Sequence, residues 1–191
     1  MAKERIILGV DPGTTIMGFG VIRVIGNSPE LVCLDVVKMT KLSDHFLKLQ
    51  TIFERTIRII DEFHPDEMAV EAPFFGKNVQ SMLKLGRAQG VIMAAALSRG
   101  IPVMEYSPKR VKQSITGNGN ASKEQVAGML KTIYTFKTAP KYLDATDGLA
   151  VATCHYFQGE LPVNEGVEKK KSAKKSSSWE SFLKNNPDRL G

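Results

Sequence analysis

Two apolar runs in this chain each end on an acid, and this pairing constrains the fold more than any other feature. Ile6-Ile7-Leu8-Gly9-Val10 leads into Asp11, and Met68-Ala69-Val70 leads into Glu71. Short apolar runs of this kind read as buried strands, so an acid that closes one stands at the sheet's end, aimed out of the core. A third acidic place is Leu143-Asp144-Ala145-Thr146-Asp147-Gly148-Leu149-Ala150, with two acids three residues apart where a helix begins. If the two strands are neighbours and the late helix crosses their ends, Asp11, Glu71, Asp144 and Asp147 converge. Four clustered negative charges repel strongly, and divalent cations are what make such a cluster tolerable. Ligation by carboxylate oxygens alone suits Mg²⁺ or Mn²⁺ rather than zinc and points to metal-assisted phosphoryl chemistry.

Taken singly, each acid has a plainer explanation. Asp11 in Asp11-Pro12-Gly13-Thr14-Thr15 is an ordinary turn former, Glu71 a solvated strand end, and Asp144 and Asp147 cap and first-turn residues of a helix. The joint pattern carries the reading, because all three places fit one architecture in order.

The chain has 191 residues, of which 42% are hydrophobic, enough for one globular domain with an appendage. No run approaches the length of a membrane span, and the charged start Met1-Ala2-Lys3-Glu4-Arg5 leads straight into a strand, so no secretory signal is expected. Cys33 and Cys154 lie far apart in apolar stretches, which reads as two reduced thiols of a cytoplasmic protein. Cys154 and His155 are adjacent and diverge, while His45 and His64 lack spaced partners, so a zinc site is a poor reading. The net charge is +6; seven Lys/Arg against five Asp/Glu in residues 160–191 leave +4 on residues 1–159. A basic body around an acidic pocket suits a metal-dependent enzyme acting on a polyanion.

The element order follows from periodicity and punctuation. Residues 5–10 predict a strand, 17–24 a second in antiparallel hairpin, and about 31–39 a third after the turn Gly26-Asn27-Ser28-Pro29. Phe46, Leu49, Phe53, Ile57 and Ile60 repeat at helical spacing over residues 43–63, and His64-Pro65-Asp66 ends that helix. The strand bearing Glu71 follows, then a helix over 77–99 ended by Gly100, a short strand over 102–106, and a helix started by Ser107-Pro108. Thr116-Gly117-Asn118-Gly119-Asn120-Ala121 reads as a mobile polar loop, and Ser122-Lys123-Glu124-Gln125 as a capping box. The last helix spans about 144–157. A meander followed by crossover helices indicates an α/β fold, a mixed five-stranded sheet with helices on both faces. We divide the chain into a domain over 1–159 and a flexible lysine- and serine-rich tail over 160–191 with a short apolar segment around Trp179, Phe182 and Leu183.

Motif by motif, residues 5–158 closely resemble the RuvC Holliday-junction resolvases, with their ribonuclease H-like fold. The likeness rests on Gly9-Val10-Asp11-Pro12-Gly13-Thr14, the strand-end Glu71, Lys84-Leu85-Gly86-Arg87-Ala88-Gln89-Gly90, Val111-Lys112-Gln113 and Asp144-Ala145-Thr146-Asp147-Gly148-Leu149-Ala150. It implies that Asp11, Glu71, Asp144 and Asp147 are catalytic and bind two metal ions, about 4 Å apart, that activate water and stabilise the leaving oxygen. Asp11 is assigned as the bridge between the ions, Glu71 as the ligand nearest the attacking water, and the helix N-terminus is expected to keep Asp144 and Asp147 ionised. The resemblance further implies paired nicks in four-way DNA junctions that leave 5′-phosphate and 3′-hydroxyl ends. It implies a homodimer through the helix over 77–99, and the branch-migration proteins RuvA and RuvB as partners.

Two readings of Phe74 and Phe75 stand side by side: core filling, or stacking on unpaired bases, the role the resemblance implies at the position of Phe74. Lys77, Lys84, Arg87, Arg110, Lys112 and Lys123 are candidate phosphate contacts, against the plain reading of solvated surface charges. The tail is either a solvated extension or an anchor for another protein. Among rival functions, a sugar kinase or actin-like ATPase shares the first turn but needs a second domain. A ribonuclease H-like enzyme processing RNA shares the acids, and a non-catalytic DNA-binding module has no use for them.

Overall fold

The computed structural model describes residues 4–73, 78–136 and 143–159. β1 (Glu4–Asp11) and β2 (Ile16–Ile25) form the expected hairpin, and β3 (Ser28–Lys38) pairs antiparallel with β2. β4 (Glu67–Glu71) adds parallel to the other side of β1, and β5 (Val103–Tyr106) parallel to β4, giving the order β3-β2-β1-β4-β5. This is the mixed five-stranded sheet expected. The turn placed over residues 26–29 is shorter than predicted: Gly26 takes a φ of 60° and β3 already begins at Ser28. Pro29 is accommodated because β3 is an edge strand, where a missing N–H is tolerated.

Successive residues of a strand face opposite sides, so parity sorts β1 and β4 into two faces. Leu8, Val10, Met68 and Val70 join one core with α1 (His45–Phe63) and α2 (Val79–Ser98). Ile7 and Ala69 join the other core with α3 (Pro108–Thr116), α4 (Lys123–Ile133) and α5 (Leu143–Gln158). Asp11 and Glu71 share the parity of Ile7 and Ala69, so both acids stand on the face covered by α5.

The helix ends follow local chemistry. Asp44 caps α1 by accepting from Leu47 N–H at 2.8 Å, and His64 closes it in the left-handed region (φ 47°) before Pro65. Ser107 caps α3 with Pro108 in its first turn, and Ser122 and Gln125 form both halves of the capping box on α4. The periodic stripe that predicts α1 coincides only in part with the one it buries, at Ile60 and the half-buried Leu49. Ile52, Thr56, Ile59 and Ile60 face inward, while Phe46 is 74% exposed and Phe53 41%. On α2 the buried residues are Ala88, Gln89, Ile92, Ala95 and Ala96, with Leu85 half-buried.

α5 lies directly on the backbone of β1 and β2. A Cβ added to Gly9 would collide with Ala152 N and Gly148 O, one on Gly18 with Asp144 O, and one on Gly148 with the Phe19 backbone. Only residues without a side chain permit that approach. Among the described residues no helix is long and apolar enough to cross a membrane.

Candidate active site

Asp11 ends β1 and Glu71 ends β4, which run parallel and adjacent, so one sheet edge carries both acids at the same end. Gln89 Nε2 on α2 donates to the Glu71 carbonyl at 3.3 Å and to Glu105 Oε2 at 2.7 Å, fixing the strand end from the opposite face. The glycine contacts bring the N-terminal half of α5 onto that edge, and with it Asp144 and Asp147. Asp11, Glu71 and Asp147 line a single pocket of about 80 Å³ together with Lys112, Lys123 and Val126. Asp144 stands at its rim, 3.7 Å from Lys123 Nζ. Thus the three separate acidic places of the sequence meet.

The electrostatics are those of crowded, part-desolvated acids. Burial, then the charge of Asp147, pushes Asp11 up to about 7. Burial, then Asp11 and Asp147, pushes Glu71 up to about 8, against the opposing pull of Lys123 and Lys112. Two unit charges about 4 Å apart repel by roughly 4 kcal/mol at an effective dielectric of about 20, so the pocket favours a cation. Lys123 Nζ supplies one, donating to Asp147 Oδ2 at 2.5 Å. Asp147 is nonetheless raised rather than held down by its helix N-terminus, because burial costs its charge more than Lys123 returns. The donor set suits a hard divalent ion in kind: oxygen only, part-buried and mutually repulsive. In arrangement, no group of three or more His, Cys, Asp or Glu among the described residues is set to hold a metal ion, and Asp147 instead faces Lys123.

Of the candidate phosphate contacts, Lys112 and Lys123 line this pocket. Arg110 is exposed on α3 and donates to Gln158 Oε1, while Lys84 and Arg87 are exposed on α2; none of the three lines it. Phe74, Phe75 and Lys77 lie outside the described residues, as does the tail over 160–191.

Sequence reasoning passed over the glycines that seat α5. Their signal is Gly9 on β1 and Gly18 and Gly20 on β2, at same-face positions, with Gly148 immediately after Asp147. It also passed over a buried chain that ties α5 to the sheet. Tyr106 Oη meets His155 Nδ1 at 2.7 Å, His155 Nε2 meets Glu67 Oε2 at 2.7 Å, and Arg5 donates to the same oxygen at 3.3 Å. Burial holds His155 below the usual imidazole range.

The profile of the family described as "Crossover junction endodeoxyribonuclease RuvC" matches residues 7–155. The protein so named from Christiangramia forsetii is 56% identical over 190 residues, covering 100% of this chain and 95% of the relative. Its Porphyromonas gingivalis counterpart is also 56% identical, with 98% of each chain covered. Among solved structures, Thermus thermophilus RuvC in complex with a Holliday junction substrate superposes with a TM-score of 0.74 at 35% identity, over 81% of this chain and 94% of that one. The yeast mitochondrial Holliday junction resolvase shares the fold, with a TM-score of 0.58 at 13% identity, over 79% of this chain and 77% of that one. With carboxylates gathered at one sheet edge under a glycine-seated helix, and with these likenesses over nearly its whole length, the chain belongs to the RuvC family of crossover junction endodeoxyribonucleases.

Proposed function

We propose that this protein is a metal-dependent endodeoxyribonuclease that resolves four-way DNA junctions by paired symmetric nicks, in recombination and repair. The observation that carries the reading is the meeting of Asp11, Glu71 and Asp147 with two lysines in one pocket, in a chain of this family. Asp11, Glu71, Asp144 and Asp147 are the residues that would hold two divalent ions, Mg²⁺ in the first place and Mn²⁺ as an alternative. When bound, such ions neutralise charge at the scissile phosphate and favour a water-derived nucleophile. Lys112, in the second turn of α3, and Lys123, which opens α4, then bind phosphate oxygens beside the cut, and Lys123 exchanges its pairing with Asp147 for the DNA. Asp11, the most central of the acids, holds its place through β1, paired on both edges.

A homodimer fits the two-fold character of a four-way junction. Its support here is one outer face of α2, where Val79, Leu83 and Leu97 are exposed and Gly86 and Gly90 open onto free space. RuvA and RuvB are the partners we propose, and the cytoplasm the compartment, in keeping with the free thiols of Cys33 and Cys154. We further propose that residues 160–191 are an appendage to the nuclease domain.

The decisive experiment compares Mg²⁺-dependent cleavage of a synthetic four-way junction with that of linear duplex and RNA–DNA hybrid. Selective, symmetric cutting of the junction is expected. Equal cutting of the hybrid, or none of the junction, overturns the reading.

A further inference from the structure

A second basin opens beside the β1–β2 turn, with a volume of about 360 Å³ and a lining opposite in character to the carboxylate pocket. Thr14 and Thr15 come from that turn, His45 and Lys48 from the first turn of α1, and Ser81 and Lys84 from the first turns of α2. Among the described residues of this lining, every polar side chain can donate a hydrogen bond, two carry a full positive charge, and none is acidic. His45 Nε2 is buried, with no hydrogen-bond partner among the described residues. A buried imidazole nitrogen ordinarily finds a partner, so this one calls for an occupant able to accept from it.

We infer that this basin binds a backbone phosphate of the DNA strand being cut, a few nucleotides from the scissile one. The inference rests on the proposed nuclease function and adds a subsite to it. Phosphate oxygens accept only, which matches a lining of donors, and Lys48 and Lys84 neutralise the charge. The placement argues for a phosphate of a strand over that of a small molecule. Thr14 follows Asp11 by three residues, at most about 11 Å along the chain, and a strand advances about 3.4 Å per nucleotide. A strand cut at Asp11 and running toward the β1–β2 turn would carry another phosphate past Thr14 within about three nucleotides. Lys48, His45, Ser81 and the threonines join Lys84 in holding it.

The test measures junction binding in EDTA, where no cutting occurs, across a series of monovalent salt concentrations. Lys48→Ala is expected to weaken binding about fivefold to tenfold near 0.1 M salt and to lower the slope of log K against log salt by about 0.9. Lys48→Glu is expected to lose more. In the unaltered protein, the His45 imidazole resonances should shift on addition of junction DNA and respond far less to inorganic phosphate, a readout independent of any variant's folding. Lys48 variants that melt normally yet match the parent in affinity and slope overturn the subsite while leaving junction cleavage intact as the function. Saturation of the His45 signals by inorganic phosphate, with slopes unchanged, assigns the basin to a small phosphate compound and overturns it too. Failure of the unaltered protein to bind junctions at all overturns the functional reading on which the subsite stands.

Discussion

Asp11 and Glu71 keep their protons in the fold to about pH 7 and 8, whereas in the unfolded chain such carboxyls lose them near pH 4. A raised acid favours the folded state only while it stays protonated, so its contribution is complete below the unfolded value and lost as pH rises through the folded one. Without divalent ions the melting temperature should therefore fall as pH climbs from about 4 toward 8, and Mg²⁺ should restore it most at the upper end. Glu71→Gln should flatten that slope and melt higher than the parent above pH 8 in EDTA. A parent melting temperature level across the window would sink this electrostatic account. Asp11→Asn removes one charge from the same crowd. It should abolish junction nicking in Mg²⁺ while binding the junction as tightly or more so, as seen by mobility shift. Nicking at the parent rate would dismiss the assignment of Asp11. These acids were readable in advance because each closes an apolar run or opens a helix. The grip of Lys123 on Asp147 was not, since it joins residues 24 apart through the packing of α4 on α5.

Helix α5 shows where pattern reading stops among the elements. Its existence follows from an apolar, cap-like sequence, yet its seat on the sheet depends on Gly9, Gly18, Gly20 and Gly148, which carry no periodic hydrophobic signal. Likewise Phe46 and Phe53 mark α1 as helical without marking its buried side, because the choice between neighbouring stripes is made by the sheet. The seat predicts a contrast between two glycines of the same composition class. Gly148→Ala should lose about 1–3 kcal/mol or more by overpacking against the Phe19 backbone, and should blunt metal-dependent cutting with it. Gly128→Ala in α4, whose added methyl meets nothing within 4 Å, should instead gain about 0.5–1 kcal/mol. Urea melts of the two variants against the parent decide it.

For the whole chain, the α/β class, the order of elements along the chain and the gathering of the acids were legible, since apolar runs closed by acids converge in few arrangements, whereas the neighbouring of β1 and β4 entered only as a condition. The basin around His45 was not, because its lining comes from three places whose proximity no local spacing announces. Truncation after Glu160 should leave cleavage of a bare junction nearly unchanged; a large loss at low salt and high enzyme would make residues 160–191 part of the active enzyme. The direct contact of α5 with strand backbone also has a bearing on how the molecule opens. With no cushion of side chains between them, α5 cannot lift away and leave β1 and β2 dry, so the three should exchange their amide hydrogens as one cooperative unit. Partial loosening then offers no half-assembled centre: under rising denaturant, catalytic competence should disappear in the same transition as the last protected amides of β1, and no earlier.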